Sequence, residues 1–161
     1  MNAEIIELLR RLENAIRIGI IIDVDLSGEI PHYRVKTGEL ETDWIAATVR
    51  RAGTAKTSHA YTVGEQVVML SPSGDLGAAL ISHALNSDAN PAPDNHATRD
   101  RVKYPDGAVI EYDPETHQLK ADVVGSSIVM DRNRILLSSN GSTIELSASG
   151  IELNGSRIDL N

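Results

Sequence analysis

The chain has no cysteine and no phenylalanine, one tryptophan (Trp44) and four tyrosines among its 161 residues. Without Cys there are no disulfides, no thiol chemistry and no Cys-based zinc site, so resistance to harsh conditions has to come from packing. Without Phe the core loses one of the side chains that bury the most area each, and a lone monomer built this way has a thin core. Concentrated positive charge is scarce as well. The densest basic pairs, Arg10-Arg11 and Arg50-Arg51, are flanked by apolar or acidic residues, and the formal net charge is -8. That field repels phosphate backbones, so no nucleic-acid partner is expected. Long apolar runs are missing too: the longest, Ile18 to Ile22, is interrupted by Gly19 and far too short to span a bilayer. The start, Met-Asn-Ala-Glu, has neither the basic region nor the apolar core of a signal peptide. The chain is therefore expected to be made in the cytoplasm and to stay soluble until assembled.

What the chain does contain is Ile, Leu and Val in short, regularly spaced groups. Ile5, Leu8, Leu9, Leu12 and Ile16 recur at steps of three and four, which predicts a helix over 3–17 and assigns residues 1–17 to an N-terminal helical segment. Glu7 with Arg11 and Glu13 with Arg17 sit at i,i+4 on its other face, and Gly19 marks the exit. Such a helix either folds back on its own domain or docks on a partner or on sister chains.

Residues 18–85 read as a compact β-domain. Candidate strands are 17–25, 32–37, 43–50, 66–70 and 78–82, separated by Gly, Pro and Ser clusters. Five short strands behind a helix fit an OB-fold barrel; a sandwich fragment of that size is the other option. Tyr33, Trp44 and Tyr61 are its only aromatics, and Trp44 is expected in the core. Residues 86–103 are polar, carry two prolines and show no apolar period, so they read as a linker.

From Ser127 onward, within a last segment spanning 104–161, the chain repeats. Ile128/Met130, Ile135/Leu137, Ile144/Leu146, Ile151/Leu153 and Ile158/Leu160 are all apolar-x-apolar pairs. Turn residues lie between them, including Asn140-Gly141 and Asn154-Gly155, a pairing that tolerates positive φ. Alternation places each pair on one face and Val129, Leu136, Glu145, Glu152 and Asp159 on the other. Strands this short, with two inward side chains each, cannot cover themselves, and a one-sided meander would leave a row of Ile and Leu in water. A single-chain parallel β-helix would form only about two coils, below the three repeats such solenoids need. Three identical chains wound into a triangular prism need no extra residues, and a narrow three-fold axis has no room for Phe. The ten residues of the five pairs are then the axis core, and the expected state is a homotrimer.

Sites for chemistry are not evident. His32, His59, His83, His96 and His117 are isolated, with no His-x-His. Residues 53–58 only echo a phosphate loop, with Ala55 and Arg50 where glycines are required. Residues 71–75 read as a turn without a nucleophile elbow. Glu111, Asp113 and Glu115 alternate along a strand and read as a solvated face rather than a hydrolase pair. No enzymatic activity and no cofactor are expected. The rival reading is an OB module that binds a ligand or single-stranded nucleic acid, which would need an aromatic platform in a basic groove.

Several segments resemble the phage baseplate assembly protein V family, the spikes of contractile phage tails and R-type pyocins. They are Thr42–Ala47 followed by Val49–Gly53, Val63–Asp75, and Tyr104–Asp113. The resemblance implies a mainly β chain: an N-terminal helix, an OB-fold barrel, then a trimeric intertwined triple-stranded β-helix. It also implies a place at the distal baseplate, a hub or tube partner on the N-terminal side, and a tip driven through the bacterial outer membrane when the sheath contracts, as part of a virion or released tailocin. Some relatives insert a lysozyme domain between barrel and spike, for which 86–103 leaves no space. Others hold an apex iron through a C-terminal His-x-His; this sequence ends Ile158-Asp159-Leu160-Asn161 without it. An apex iron would require a chain continuing past Asn161, and a separate cap protein is the other way to seal the tip.

Overall fold

The computed structural model describes residues 2–159, which fall into two units, Met1–Pro91 and Ala92–Asn161. The first opens with α1 (Ala3–Ala15), whose start is set by Asn2: its side chain accepts from the Glu4 backbone N–H at 3.3 Å. Glu7 pairs with Arg11 at 2.7 Å and with Arg10 at 2.8 Å. The expected Glu13–Arg17 pair does not form, because the helix stops two residues earlier and the chain passes straight into β1 (Ile16–Asp25). The Arg17 guanidinium instead donates to Asn14 Oδ1 at 2.8 Å and to Thr37 Oγ1 at 3.3 Å. The helix rests on a 3-10 turn, Pro72–Gly74, and the Ala15 carbonyl accepts from the Ser71 backbone N–H at 2.9 Å. Its Ile and Leu stripe does not pack inward: Leu8 and Leu12 are 66% and 71% exposed.

The remaining strands of this unit are β2 (His32–Thr37), β3 (Leu40–Glu41), β4 (Ile45–Ala46), β5 (Gln66–Leu70) and β6 (Leu80–Leu85). They form one sheet in the order β3-β2-β1-β5-β6, with β4 on β2. A parallel bridge between Ala47 and Ile81, with the Thr48 N–H donating to the Ile81 carbonyl at 2.8 Å, joins β4 to β6 and closes the sheet on itself. Closure removes the free edges that an open sheet would present. Expected strand 43–50 is reduced to β4 because the chain then turns back on itself: the Thr57 N–H donates to the Arg51 carbonyl at 3.0 Å. The last strand starts later than expected because Asp75 caps a second 3-10 turn, Leu76–Ala78.

Inside the barrel, Ile21, Tyr33, Val35, Ile45, Val67, Met69, Ala79 and Ile81 make the core. Tyr33 does what Phe would do elsewhere: it is fully buried, edge-on to Tyr61 with ring centroids 5.6 Å apart, and its hydroxyl accepts from the Tyr61 N–H at 3.3 Å. Trp44, expected in this core, is instead 46% exposed. Its neighbour Ile45 takes the inward position opposite Tyr33, and alternation turns Trp44 away.

The second unit is a seven-strand antiparallel meander, ordered β13 to β7 without a crossover. Its strands are β7 (Asp100–Lys103), β8 (Val109–Asp113), β9 (Gln118–Val123), β10 (Ser126–Met130), β11 (Arg134–Ser139), β12 (Ser142–Ser147) and β13 (Gly150–Asn154). The strand run therefore begins inside the segment expected as linker, at Asp100, where β7 pairs with β8. Consecutive strands are joined by hairpins, so the single-chain parallel β-helix is not what the chain forms. Among the described residues of this unit, Ala108 is the only buried hydrophobic side chain.

Gly19, expected at the helix exit, lies within β1 and is required there by contact rather than by its dihedral freedom. A Cβ on it would meet Val35 Cγ1 at 2.5 Å and the Lys36 carbonyl oxygen at 2.7 Å. Gly19→Ala must push apart β1 and β2, the pair that supplies Ile21, Tyr33 and Val35 to the core. The expected result is a loss of about 1–3 kcal/mol, the range for overpacking, read as a lowered urea midpoint for barrel unfolding.

Candidate functional site: an open apolar face on the C-terminal sheet

The register of the meander brings the apolar pairs into rows that run across the strands. One row is Val102, Ile110, Ala121, Ile128, Leu137, Ile144 and Leu153, each a direct cross-strand partner of the next. A second is Tyr112, Leu119, Met130, Ile135, Leu146 and Ile151. Because side chains alternate, both rows lie on the same face. Eight of the ten residues singled out from the sequence thus fall on one surface: Ile128, Met130, Ile135, Leu137, Ile144, Leu146, Ile151 and Leu153. Ile158 follows β13 outside any strand, and Leu160 lies outside the described residues. Val102, Ile110, Tyr112, Leu119 and Ala121 extend the rows. They were missed because the repeat becomes regular only after Ser127 and because 100–103 looked polar.

This face is open. Ile128, Met130, Ile144, Leu146, Ile151 and Leu153 are 39–71% exposed, values reached by isolated surface residues but rarely by whole rows. It includes a hollow of about 640 Å³ floored by Ala121, Ile128, Leu137, Ile144 and Leu153. A third row, Val123, Ser126, Ser139 and Ser142, bounds the apolar rows on one side, with the Ser126 and Ser139 hydroxyls 2.6 Å apart. Asn140 (φ 48°) and Gly141 (φ 88°) form the tight turn between β11 and β12, as their pairing in the sequence indicates.

The opposite face is charged. Arg101, Glu111, Lys120, Val129, Leu136, Glu145 and Glu152 follow one another across the strands. Arg134 donates to Glu145 at 3.1 Å, and Lys120 pairs with Asp122 at 2.9 Å. At the first strands the charges form a network. Arg99 donates to Asp94 at 2.8 Å and to Asp113 at 3.0 Å; Arg101 lies 3.4 Å from Glu111 and 3.6 Å from Asp94. Asp113 is therefore not on a solvated face: it is buried, and its other oxygen accepts from the Glu115 N–H at 2.9 Å. The Arg99 hydrogen bond, opposed in part by burial, holds the Asp113 carboxyl below its usual range, and the same arginine does so for Asp94. A general acid needs its pKa raised; these two carboxylates are shifted the other way, as counter-ions to Arg99. Among the described residues, no three His, Cys, Asp or Glu side chains converge as a metal site, and no helix is long and apolar enough to cross a membrane.

Two comparisons bear on this arrangement. Residues 17–85 match the type VI secretion system/phage-baseplate injector OB domain. The chain is also similar to the spike protein of Escherichia phage P2, 42% identical over 127 residues, which is 79% of this chain and 59% of that protein. The chain thus spans less than two thirds of the relative it matches.

The ion network predicts a pH dependence. A carboxyl held below its ordinary value in the folded state adds stability above that ordinary value and loses it as pH falls through the depressed one. Asp94 and Asp113 therefore stabilise the first strands at neutral pH and lose that contribution as the pH falls through their depressed values. Arg99→Met should lower the melting temperature clearly at pH 7 and by much less in acid strong enough to protonate both carboxyls. An equal loss at both pH values would show that Arg99 acts by packing alone.

Proposed function

Residues 17–85 belong to the type VI secretion system/phage-baseplate injector OB-domain family, and on that premise we propose that this chain is a non-enzymatic, homotrimeric spike at the baseplate tip of a contractile phage tail or tailocin, driven through a bacterial outer membrane by sheath contraction. The observation that carries the reading is the open apolar face. Two aligned rows of Ile, Leu and Met on a sheet with almost no private core need a partner surface, and three copies closed around an axis supply it without further sequence. Each half-exposed Ile or Leu that becomes fully buried contributes on the order of 1 kcal/mol. The rows hold seven such Ile and Leu side chains, and with Val102, Tyr112 and Met130 ten per chain, enough to outweigh the entropy of bringing three chains together. Cyclic closure also uses the same face on every copy, leaving none exposed.

The outer face supports the mechanical part of the reading. Residues 104–161 carry nine acids and four bases, a net charge of about -5 per chain, and such a surface does not enter lipid spontaneously. Entry has to be forced, which is what a contracting sheath does. Stiffness follows from the cross-strand hydrogen bonds, many of which must break together for the rod to bend. On this reading the barrel and the exposed stripe of α1 seat the trimer on a hub or tube protein, and the role of the sheet residues is structural, with no cofactor assigned.

Light scattering, paired with an unboiled SDS gel, tests the assembly. Three chains of 17.4 kDa give a species of about 52 kDa that is expected to survive detergent. A dimer would favour two sheets stacked face to face, and a monomer would leave the apolar rows without the cover that the proposal requires. Ile144→Asp or Leu153→Asp places like charges at one level of the axis and should abolish the trimer. Soluble, detergent-resistant trimers from either variant would count against the three-fold core.

A further inference from the structure

The barrel carries a second feature that the spike reading does not use. From Trp44 to Gly64 the sequence has three cations, Arg50, Arg51 and Lys56, and no acid, within a chain of net charge -8. None of the three forms an ion pair among the described residues. The backbone that carries Arg51 and Lys56 is held in a small hairpin, however. The Arg51 N–H donates to Thr57 Oγ1 at 3.1 Å, the Thr57 N–H returns to the Arg51 carbonyl at 3.0 Å, and Ala52 bridges Lys56. This small hairpin forms one wall of a groove of about 560 Å³. Arg51 and Lys56 stand on that wall, while Ile30, Pro31, Ala46 and Val49 make an apolar lining; Glu29 is the one acid on its rim. Ile30 and Val49 are both at least half exposed.

We infer that this groove seats an acidic, aliphatic-containing segment of another polypeptide. Unpaired cations above an apolar trough complement a strand or loop that alternates carboxylates with Leu- or Val-like side chains. The preformed hairpin lowers the ordering cost of binding. Single-stranded nucleic acid fits less well. It needs aromatic platforms for its bases, yet Tyr33 is buried, Tyr61 is packed edge-on against it, and Trp44 is not among the groove residues. A long polyanion also reaches beyond the roughly 8 Å over which a local patch dominates at physiological salt and meets the negative field of the rest of the chain. A short acidic segment does not. The inference stands on the barrel alone and holds whether or not the C-terminal sheet assembles by threes.

The test uses the full chain and fluorescence anisotropy, with a short labelled peptide of Glu and Leu as probe, a matched peptide with Gln for every Glu, and an oligothymidylate of equal charge. The Glu peptide should bind, weaken with added salt and exceed the Gln peptide. Arg51→Glu/Lys56→Glu should cut its affinity roughly tenfold or more, whereas Lys103→Glu/Arg132→Glu, the same change in charge elsewhere, should leave most of it. Arg51→Gln/Lys56→Gln replaces the first variant if circular dichroism shows a lost fold. Absence of binding, or an equal loss in both reversed variants, would overturn the site. So would an oligothymidylate that binds more tightly than the peptide through the same two residues. Light scattering on the same samples separates this from the assembly question: a change of mass in the groove variant alone would make the groove a contact between copies, contrary to the inference.

Discussion

The C-terminal unit depends on hydrogen-bond register. Each strand is five or six residues in most cases and directs two apolar side chains to one face, so its neighbours must be aligned to the residue or the face is lost. A slip by one would turn Lys120, Glu145 or Glu152 onto the apolar face in place of Leu, Ile and their neighbours. Here Ile128, Leu137, Ile144 and Leu153 face one another directly, and Met130, Ile135, Leu146 and Ile151 run beside them. The tight turns enforce that alignment because they leave no slack between strands. Everything proposed about assembly follows from the continuity of these rows.

Polar groups are distributed in keeping with it. Charges that would be costly inside a multi-chain core are collected on the opposite face, where Arg134 meets Glu145 and Lys120 meets Asp122. The most shielded of them, Asp113, is matched by Arg99, which also ties Asp94 to the first strands. An unmatched charge at such a site is expensive, and the network answers that cost near the point where the sheet begins. The barrel solves the opposite problem. It closes on itself through Ala47 and Ile81, keeps its own core around Tyr33, and leaves Arg50, Arg51 and Lys56 on an exposed loop.

Much of this was legible in the chain itself. The apolar-x-apolar pairs at steps of seven and nine announced strands, their common face and their turns, and Gln66–Leu70 and His32–Thr37 read correctly as strands by alternation alone. Boundaries were less legible wherever a side chain outside the element decides them. Arg17 was assigned to the helix by its spacing from Glu13, but the chain extends at Ile16 because β5 pairs there. Asp100–Lys103 looked like linker because three of its four side chains are charged, and its strand exists only through β8.

The sequence by itself determined the periodic face, the dominance of Ile, Leu and Met on it, the acidic outer side and the resemblance to a baseplate spike family. These are local properties, carried by residues two, four or seven positions apart. Only the tertiary structure decided which aromatic is inside, that Asp113 is a buried counter-ion rather than a wet carboxylate, and that the rows continue back to Val102. It also decided that Arg51 and Lys56 line an apolar trough. Each of those depends on partners fourteen or more residues away or across a sheet, as Arg99 is to Asp113, and no local pattern encodes which distant side chain arrives.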